Sequence, residues 1–144
     1  MQIALEEARA AIHHGDVPVG AVVLSRGEVL ARRHNERELS GDPTAHAEIL
    51  AIRDAARELG SWHLGPETTL VVTLEPCSMC AGALVAARIA RLVFGAADPR
   101  AGACGTLYNL CVDPRLNHEC EVVEGVLAQE SRGLLRDFFQ ARRG

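Results

Sequence analysis

Thr68-Thr69-Leu70-Val71-Val72-Thr73-Leu74-Glu75-Pro76-Cys77-Ser78-Met79-Cys80 reads as a strand that ends and a helix that begins. Residues 68–74 are rich in β-branched side chains and apolar on both faces, as expected of a central strand covered by helices. Glu75-Pro76 breaks the strand, and the small residues of 78–88 suit a helix. Working outward, residues 3–12 carry apolar side chains at the spacing of an amphipathic helix. Gly15-Asp16-Val17-Pro18 stops it, and residues 19–24 read as a buried strand. Ser25-Arg26-Gly27-Glu28 is a turn into a second strand at Val29-Leu30-Ala31, which makes a hairpin. Asp42-Pro43-Thr44 looks like a helix start, followed by apolar residues up to Leu59 and a stop at Gly60. Downstream come a short strand at 91–95, a Gly-rich stretch from 98 to 105, a strand candidate at 121–123 and a final amphipathic helix over 127–143. On that last helix Leu127, Leu134, Leu135, Phe138 and Phe139 are expected on the apolar side. The order predicts a three-layer α/β/α fold with a mixed central sheet of about five strands.

Composition narrows the class. A length of 144 residues suits one domain spanning 1–144. With 48% hydrophobic and 24% charged residues the chain is globular rather than disordered. No apolar run approaches the ~20 residues of a membrane-spanning helix. The opening Met1-Gln2-Ile3-Ala4-Leu5-Glu6-Glu7 is acidic where a secretory signal is basic, so the expected address is the cytoplasm. All 15 of the Lys+Arg residues are arginine, which excludes lysine Schiff-base, P-loop and general-base chemistry. A net charge of −4 means that any nucleic-acid site is a local patch. Aromatic residues, at 3%, are too few for a broad base-stacking platform.

The five cysteines are an odd number, and two of them form Cys77-Ser78-Met79-Cys80. That pattern points to metal or redox chemistry rather than a disulfide framework. Cys77 and Cys80, three apart on a helix, would share a face with Cβ atoms about 5–6 Å apart. A helix N-terminus favours thiolate over thiol. His46, at the start of another helix, would be the third ligand of a zinc ion. Three protein ligands leave one tetrahedral position open for water, the mark of a catalytic zinc. Glu48, two residues after His46, could reach that water without ligating the metal and would shuttle protons. A thioredoxin-like redox pair is the competing reading of Cys-x-x-Cys alone, but such a pair needs neither His46 nor Glu48. Cys104, Cys111 and Cys120 match no common zinc spacing and read as small buried hydrophobes.

His-x-Glu followed by Pro-Cys-x-x-Cys is the signature of the zinc deaminases. The chain resembles the bacterial tRNA-specific adenosine deaminases, within the wider cytidine deaminase-like superfamily. The resemblance is carried by Val17-Pro18-Val19-Gly20-Ala21-Val22, His34-Asn35, Asp42-Pro43-Thr44-Ala45-His46-Ala47-Glu48-Ile49, and the run from Thr73 to Ala83. Val93-Phe94-Gly95-Ala96, Asp98, Gly102 and Leu134-Leu135-Arg136-Asp137-Phe138-Phe139 extend it over nearly the whole chain.

The resemblance implies hydrolytic conversion of adenosine to inosine at the wobble position of a tRNA anticodon. It also implies zinc on His46, Cys77 and Cys80, Glu48 as proton donor, and a homodimer with the active site near the subunit interface. By the same resemblance Asn35 contacts the flipped-out nucleoside and the Ala47 N–H faces the base. Phe138, Phe139, Arg142 and Arg143 are candidate contacts to the anticodon arm. Residues 126–144 hold four arginines against Glu130 and Asp137, a local excess of positive charge. A deaminase of a free base or nucleoside (cytosine, cytidine or guanine) would share every zinc residue and is the alternative. A non-catalytic zinc or redox protein would have no use for Glu48.

Overall fold

The computed structural model describes residues 1–144. Its elements in chain order are α1 (Gln2–Ile12), β1 (Gly20–Ser25), β2 (Glu28–His34), α2 (Arg37–Ser40), α3 (Ala47–Leu59), β3 (Thr68–Leu74), α4 (Ser78–Ala86), β4 (Arg91–Ala96), β5 (Glu121–Val123) and α5 (Ala128–Arg143), with a 3₁₀ turn at Leu110–Val112 before β5. The five strands lie in the order β2-β1-β3-β4-β5. The sheet is mixed: β1 runs antiparallel to β2 and β3, whereas β3, β4 and β5 are parallel. The strand expected to be central, β3, is central.

Alternation of side chains across the strands separates two layers of packing. Ala21 and Val23 of β1, Leu70 and Val72 of β3, and Leu92 and Phe94 of β4 join Ala47, Ala51 and Ala55 of α3 and Ala81 and Leu84 of α4 in the main core. The intervening Val22 and Val71, with Val93, pack towards α1 around Ala4. Two glycines let helices approach that second face. A Cβ on Gly20 would stand 1.9 Å from the Ala4 carbonyl oxygen, and one on Gly95 would stand 2.5 Å from the Ser131 hydroxyl. Helices α1 and α5 therefore seat against backbone rather than side chains.

The hairpin turn is Arg26-Gly27, with φ of 51° and 78°. Two left-handed residues in a two-residue loop match the right-handed twist of the flanking strands. Two local expectations are corrected. Asp42-Pro43-Thr44 does not start a helix. The Asp42 carboxylate accepts both the N–H and the hydroxyl of Thr44 at 2.8 Å, which makes a local turn, and α3 begins only at Ala47. Cys77 stands where expected, at the start of α4: it is the N-cap, with extended backbone, and Cys80 lies in the first turn. Phe139 is not on the packed side of α5: it is 44% exposed, whereas Phe138 is buried. Cys104, Cys111 and Cys120 are all buried, and the first two sulfurs lie 3.5 Å apart.

Candidate active site

Two helix starts meet at the site. His46 caps α3 and Cys77 caps α4, both with extended backbone. Helices α3 and α4 cover the same face of the sheet, so their N-termini converge, with Cys80 one turn into α4. The three ligand atoms all lie within 4.8 Å of one another. His46 Nδ1 is 3.7 Å from Cys77 Sγ and 3.5 Å from Cys80 Sγ. Zinc–sulfur and zinc–nitrogen bonds of ~2.3 and ~2.0–2.1 Å at a tetrahedral angle require an N···S separation of about 3.6 Å. The donor set and its spacing therefore fit a zinc ion.

Electrostatics prepare the thiols. Hydrogen bonding with Cys80 draws the Cys77 thiol down to about 3, against the opposing effect of burial. Cys80 is pushed up, because it holds the proton of that pair and is buried. His46 is raised, first by its hydrogen bond to Cys77. Protons and thiolate are thus already held in one small triangle, where a dication would displace the protons.

Glu48 sits in the first turn of α3 and is 4% exposed. Burial raises its carboxyl above the ordinary range, so this is a site where a proton can be held and released. Ala47 is the first residue of α3 and is buried. Its N–H is one of the four at a helix start with no acceptor within the helix. Glu48, Ala47, His46, Cys77 and Asn35 line one cavity of ≈ 220 Å³. That is below the ~300–1,000 Å³ of pockets for drug-sized ligands, and suits a single heterocyclic base. Asn35 is nearly buried. Its amide donates to the Val17 carbonyl at 3.3 Å and accepts the Arg37 N–H at 3.2 Å, which fixes its orientation at the wall.

The C-terminal candidates divide. Phe138, Phe139 and Arg142 border a smaller hollow that shares Val17, Asn35 and Arg37 with the main cavity. Arg142 lies 4.7 Å over the Phe138 ring and donates to the Gly15 carbonyl oxygen. Arg143 lies outside the hollow and turns back towards the Phe139 carbonyl at 3.4 Å.

Three residues of the wall carried no role in the sequence reading. Arg37 and Asp98 line the cavity, and so does Glu75. The signal for Glu75 was a lone acid at the end of an apolar strand. Nothing in the local pattern marked Arg37.

The MafB19-like deaminase family matches residues 1–143. A tRNA-specific adenosine deaminase of Bacillus subtilis is 50% identical over 143 residues, covering 99% of this chain and 88% of that protein. A solved tRNA:A34 deaminase, which edits A to I at the wobble position of transfer RNA, superposes with a TM-score of 0.89 at 44% identity. That match covers 94% of this chain and 97% of the other. A guanine deaminase from Nitrosomonas europaea superposes with a TM-score of 0.83 at 27% identity, covering 95% and 81%.

Proposed function

The chain belongs to the MafB19-like deaminase family and, within it, to the tRNA-specific adenosine deaminases, and from that premise we propose that it converts adenosine to inosine at the wobble position of a tRNA anticodon. The observation that carries the reading is the His46–Cys77–Cys80 triangle beside the buried Glu48, in a cavity sized for one base. Zinc is the metal that suits two thiolates and an imidazole in this spacing. When bound, it supplies the Lewis acidity that makes water a nucleophile at neutral pH.

The chain's own residues do the rest. His46, Cys77 and Cys80 would hold the ion, with His46 and Cys77 in the cavity wall. Glu48 takes a proton from the attacking water and passes protons to N1 and to the departing amino nitrogen, so that adenine and water become hypoxanthine and ammonia. Its burial keeps those protons from bulk solvent. Asn35, locked by Val17 and Arg37, and the free N–H of Ala47 orient the base edge. Val17, Val19 and Leu74 supply the apolar walls against which the ring lies.

The choice of an RNA substrate is supported by the hollow next to the base cavity. Exposed Phe139 offers a stacking face, and Arg37 and Arg142 offer cations, beside a pocket reached only by an unstacked base. An anticodon loop presents such bases at small cost. Arg143 would contact phosphate from outside the hollow. A tRNA substrate also suits a cytoplasmic address, and no helix is long and apolar enough to cross a membrane. The homodimer implied by the resemblance would use the apolar hollow between α3 and α4, where Ile49, Ile52, Ala56, Ala83 and Ala86 lie beside Trp62, which is 66% exposed.

The deciding experiment is inosine formation on an anticodon stem-loop, set against deamination of free guanine, cytidine and adenosine, with metal content measured on the same preparation. Zinc at one per chain and preference for the stem-loop are expected. Faster turnover of a free base would move the chain to the free-base reading. Sedimentation at micromolar concentration checks the dimer, which predicts twice the single-chain mass of 15.5 kDa.

A further inference from the structure

The Nε2 atoms of His14 and His34 lie 3.0 Å apart. The ring centroids are 5.1 Å apart, so the rings meet nitrogen to nitrogen rather than face to face. Each ring's other nitrogen faces a carboxylate. His14 Nδ1 is 2.6 Å from Asp16 Oδ2, and His34 Nδ1 is 2.7 Å from Glu7 Oε2. A carboxylate accepts hydrogen bonds and cannot donate one when ionised, so both Nδ1 atoms carry protons. The Nε2 contact needs one proton and one lone pair. The four ring nitrogens therefore hold three protons. With two, either a lone pair would face a carboxylate or the two Nε2 lone pairs would face each other; with four, two N–H groups would collide.

This relay, Glu7–His34–His14–Asp16, ties α1, the loop after α1, the end of β2 and α2 together. Asp16 is buried and also accepts the N–H groups of Glu38 and Leu39 at 2.7 and 3.1 Å. Val17 follows Asp16 and Asn35 follows His34, and both line the base cavity with Arg37 of α2. The relay stands behind that wall and is absent from the cavity lining. The charged groups around it are Glu6 and Glu7 on α1, with Arg32 of β2 at 3.1 and 2.7 Å from them. Arg142 of α5 reaches Gly15, next to Asp16, while Glu38 of α2 meets Asp16 through its backbone.

We propose that His14 and His34 are positioning residues for the deamination: through one shared proton they hold the Val17, Asn35 and Arg37 wall against the substrate base. The proposal rests on the function given above. It assigns no contact with substrate to either histidine.

Two measurements on the whole protein test it. The first is ¹⁵N-detected NMR of the ring nitrogens at neutral pH, which is independent of activity. Three protons on the pair, with both Nδ1 atoms protonated, are expected. The second is kinetics on an anticodon stem-loop with His14→Gln and His34→Gln, at equal zinc content. KM should rise about tenfold, the effect of one hydrogen bond to a charged group, with a smaller change in kcat. Two or four ring protons at neutral pH, or variants with native KM, overturn the proposal. If a variant fails to fold, the proton count in the native chain still decides. A native chain that ignores the stem-loop defeats the functional reading, while a three-proton pair in it supports the lock.

Discussion

The carboxylate of Glu75 accepts the backbone N–H of Cys104 at 3.0 Å, across 29 positions of sequence. It also accepts the N–H groups of Asp98 and Thr106, each at 3.1 Å, and the Thr106 hydroxyl. Burial pushes this carboxyl up, but those four donors outweigh it and hold it below the ordinary range. One buried side chain thus folds the 98–106 loop back over the cavity and sets Asp98 and Ala101 in its wall. Gly102 packs directly on it, where a Cβ would stand 2.4 Å from the carboxyl carbon.

Glu75→Gln should therefore destabilise the protein by about 1–3 kcal/mol, because an amide nitrogen would face a backbone N–H that has no other acceptor. Gly102→Ala should do similar damage from the other side, by forcing the loop off the carboxylate. Urea midpoints at neutral pH check both. Native stability in Glu75→Gln would show that the loop is held by something else.

Glu48→Ala should keep the fold and the zinc and lose activity. General acid–base catalysis supplies ~10²–10⁴-fold, and here one carboxylate serves several proton transfers, so a loss near the upper end is expected. The side chain is buried and lines the cavity beside the metal triangle, but it is no part of that triangle. Single-turnover rates with parallel metal analysis separate the two roles. A metal-free Glu48→Ala protein would make Glu48 a ligand.

Asp16 gives a prediction with a sign. Burial pushes its carboxyl up, yet the N–H groups of Glu38 and Leu39 and the His14 ring outweigh this and hold it below its ordinary value. A lowered carboxyl stabilises the fold at pH above the unfolded value of ~3.9, and that contribution fades as pH falls through the lower folded value. Asp16→Asn should then cost about 1.5–3 kcal/mol at pH 7, as for hydrogen bonds to a charged group. The gap between native and variant chains should narrow below pH ~3.9. Urea unfolding at pH 7 and pH 3 measures both gaps, and equal gaps would refute the assignment.

The parts legible in the sequence are those whose cause is local. The β-branched run of β3 announces a central strand, and the i,i+3 spacing with a preceding proline announces the cysteine pair of the candidate metal triangle. Asp42-Pro43-Thr44 misleads because an Asp side chain that closes a turn on Thr44 uses the same chemistry as a helix cap. Phe138 and Phe139 cannot both face the core, since neighbours on a helix point about 100° apart. Periodicity alone put both on the apolar side, and Phe139 is the one left exposed. Glu75 and the His14–His34 relay depend on partners tens of residues away, and no window of sequence shows them. The three-residue β5 is readable only as a hydrophobic triplet, and its place at the sheet edge comes from pairing with β4.

The C-terminal helix alternates buried and exposed side chains within consecutive residues. Phe138 is buried and carries Arg142 over its ring, so removing either disturbs the seat of α5 near Gly15. Phe139 and Arg143 are exposed, and Phe139 touches that seat only edge-on at Phe138, ring centroids 5.3 Å apart. Phe139→Ala should therefore leave the melting temperature nearly unchanged. It should weaken stem-loop binding by about 1–3 kcal/mol, the value of one base–aromatic stack. Arg143→Ala should weaken binding less and lower the slope of log K against log salt by about 0.7, the signature of one lost phosphate contact on single-stranded RNA. Neither change should alter turnover of a free nucleoside, which has no loop to grip. Binding titrations at several salt concentrations give both numbers. Native affinity and slope in the double variant would remove Phe139 and Arg143 from the RNA interface and leave recognition to Arg37, Arg142 and the cavity rim.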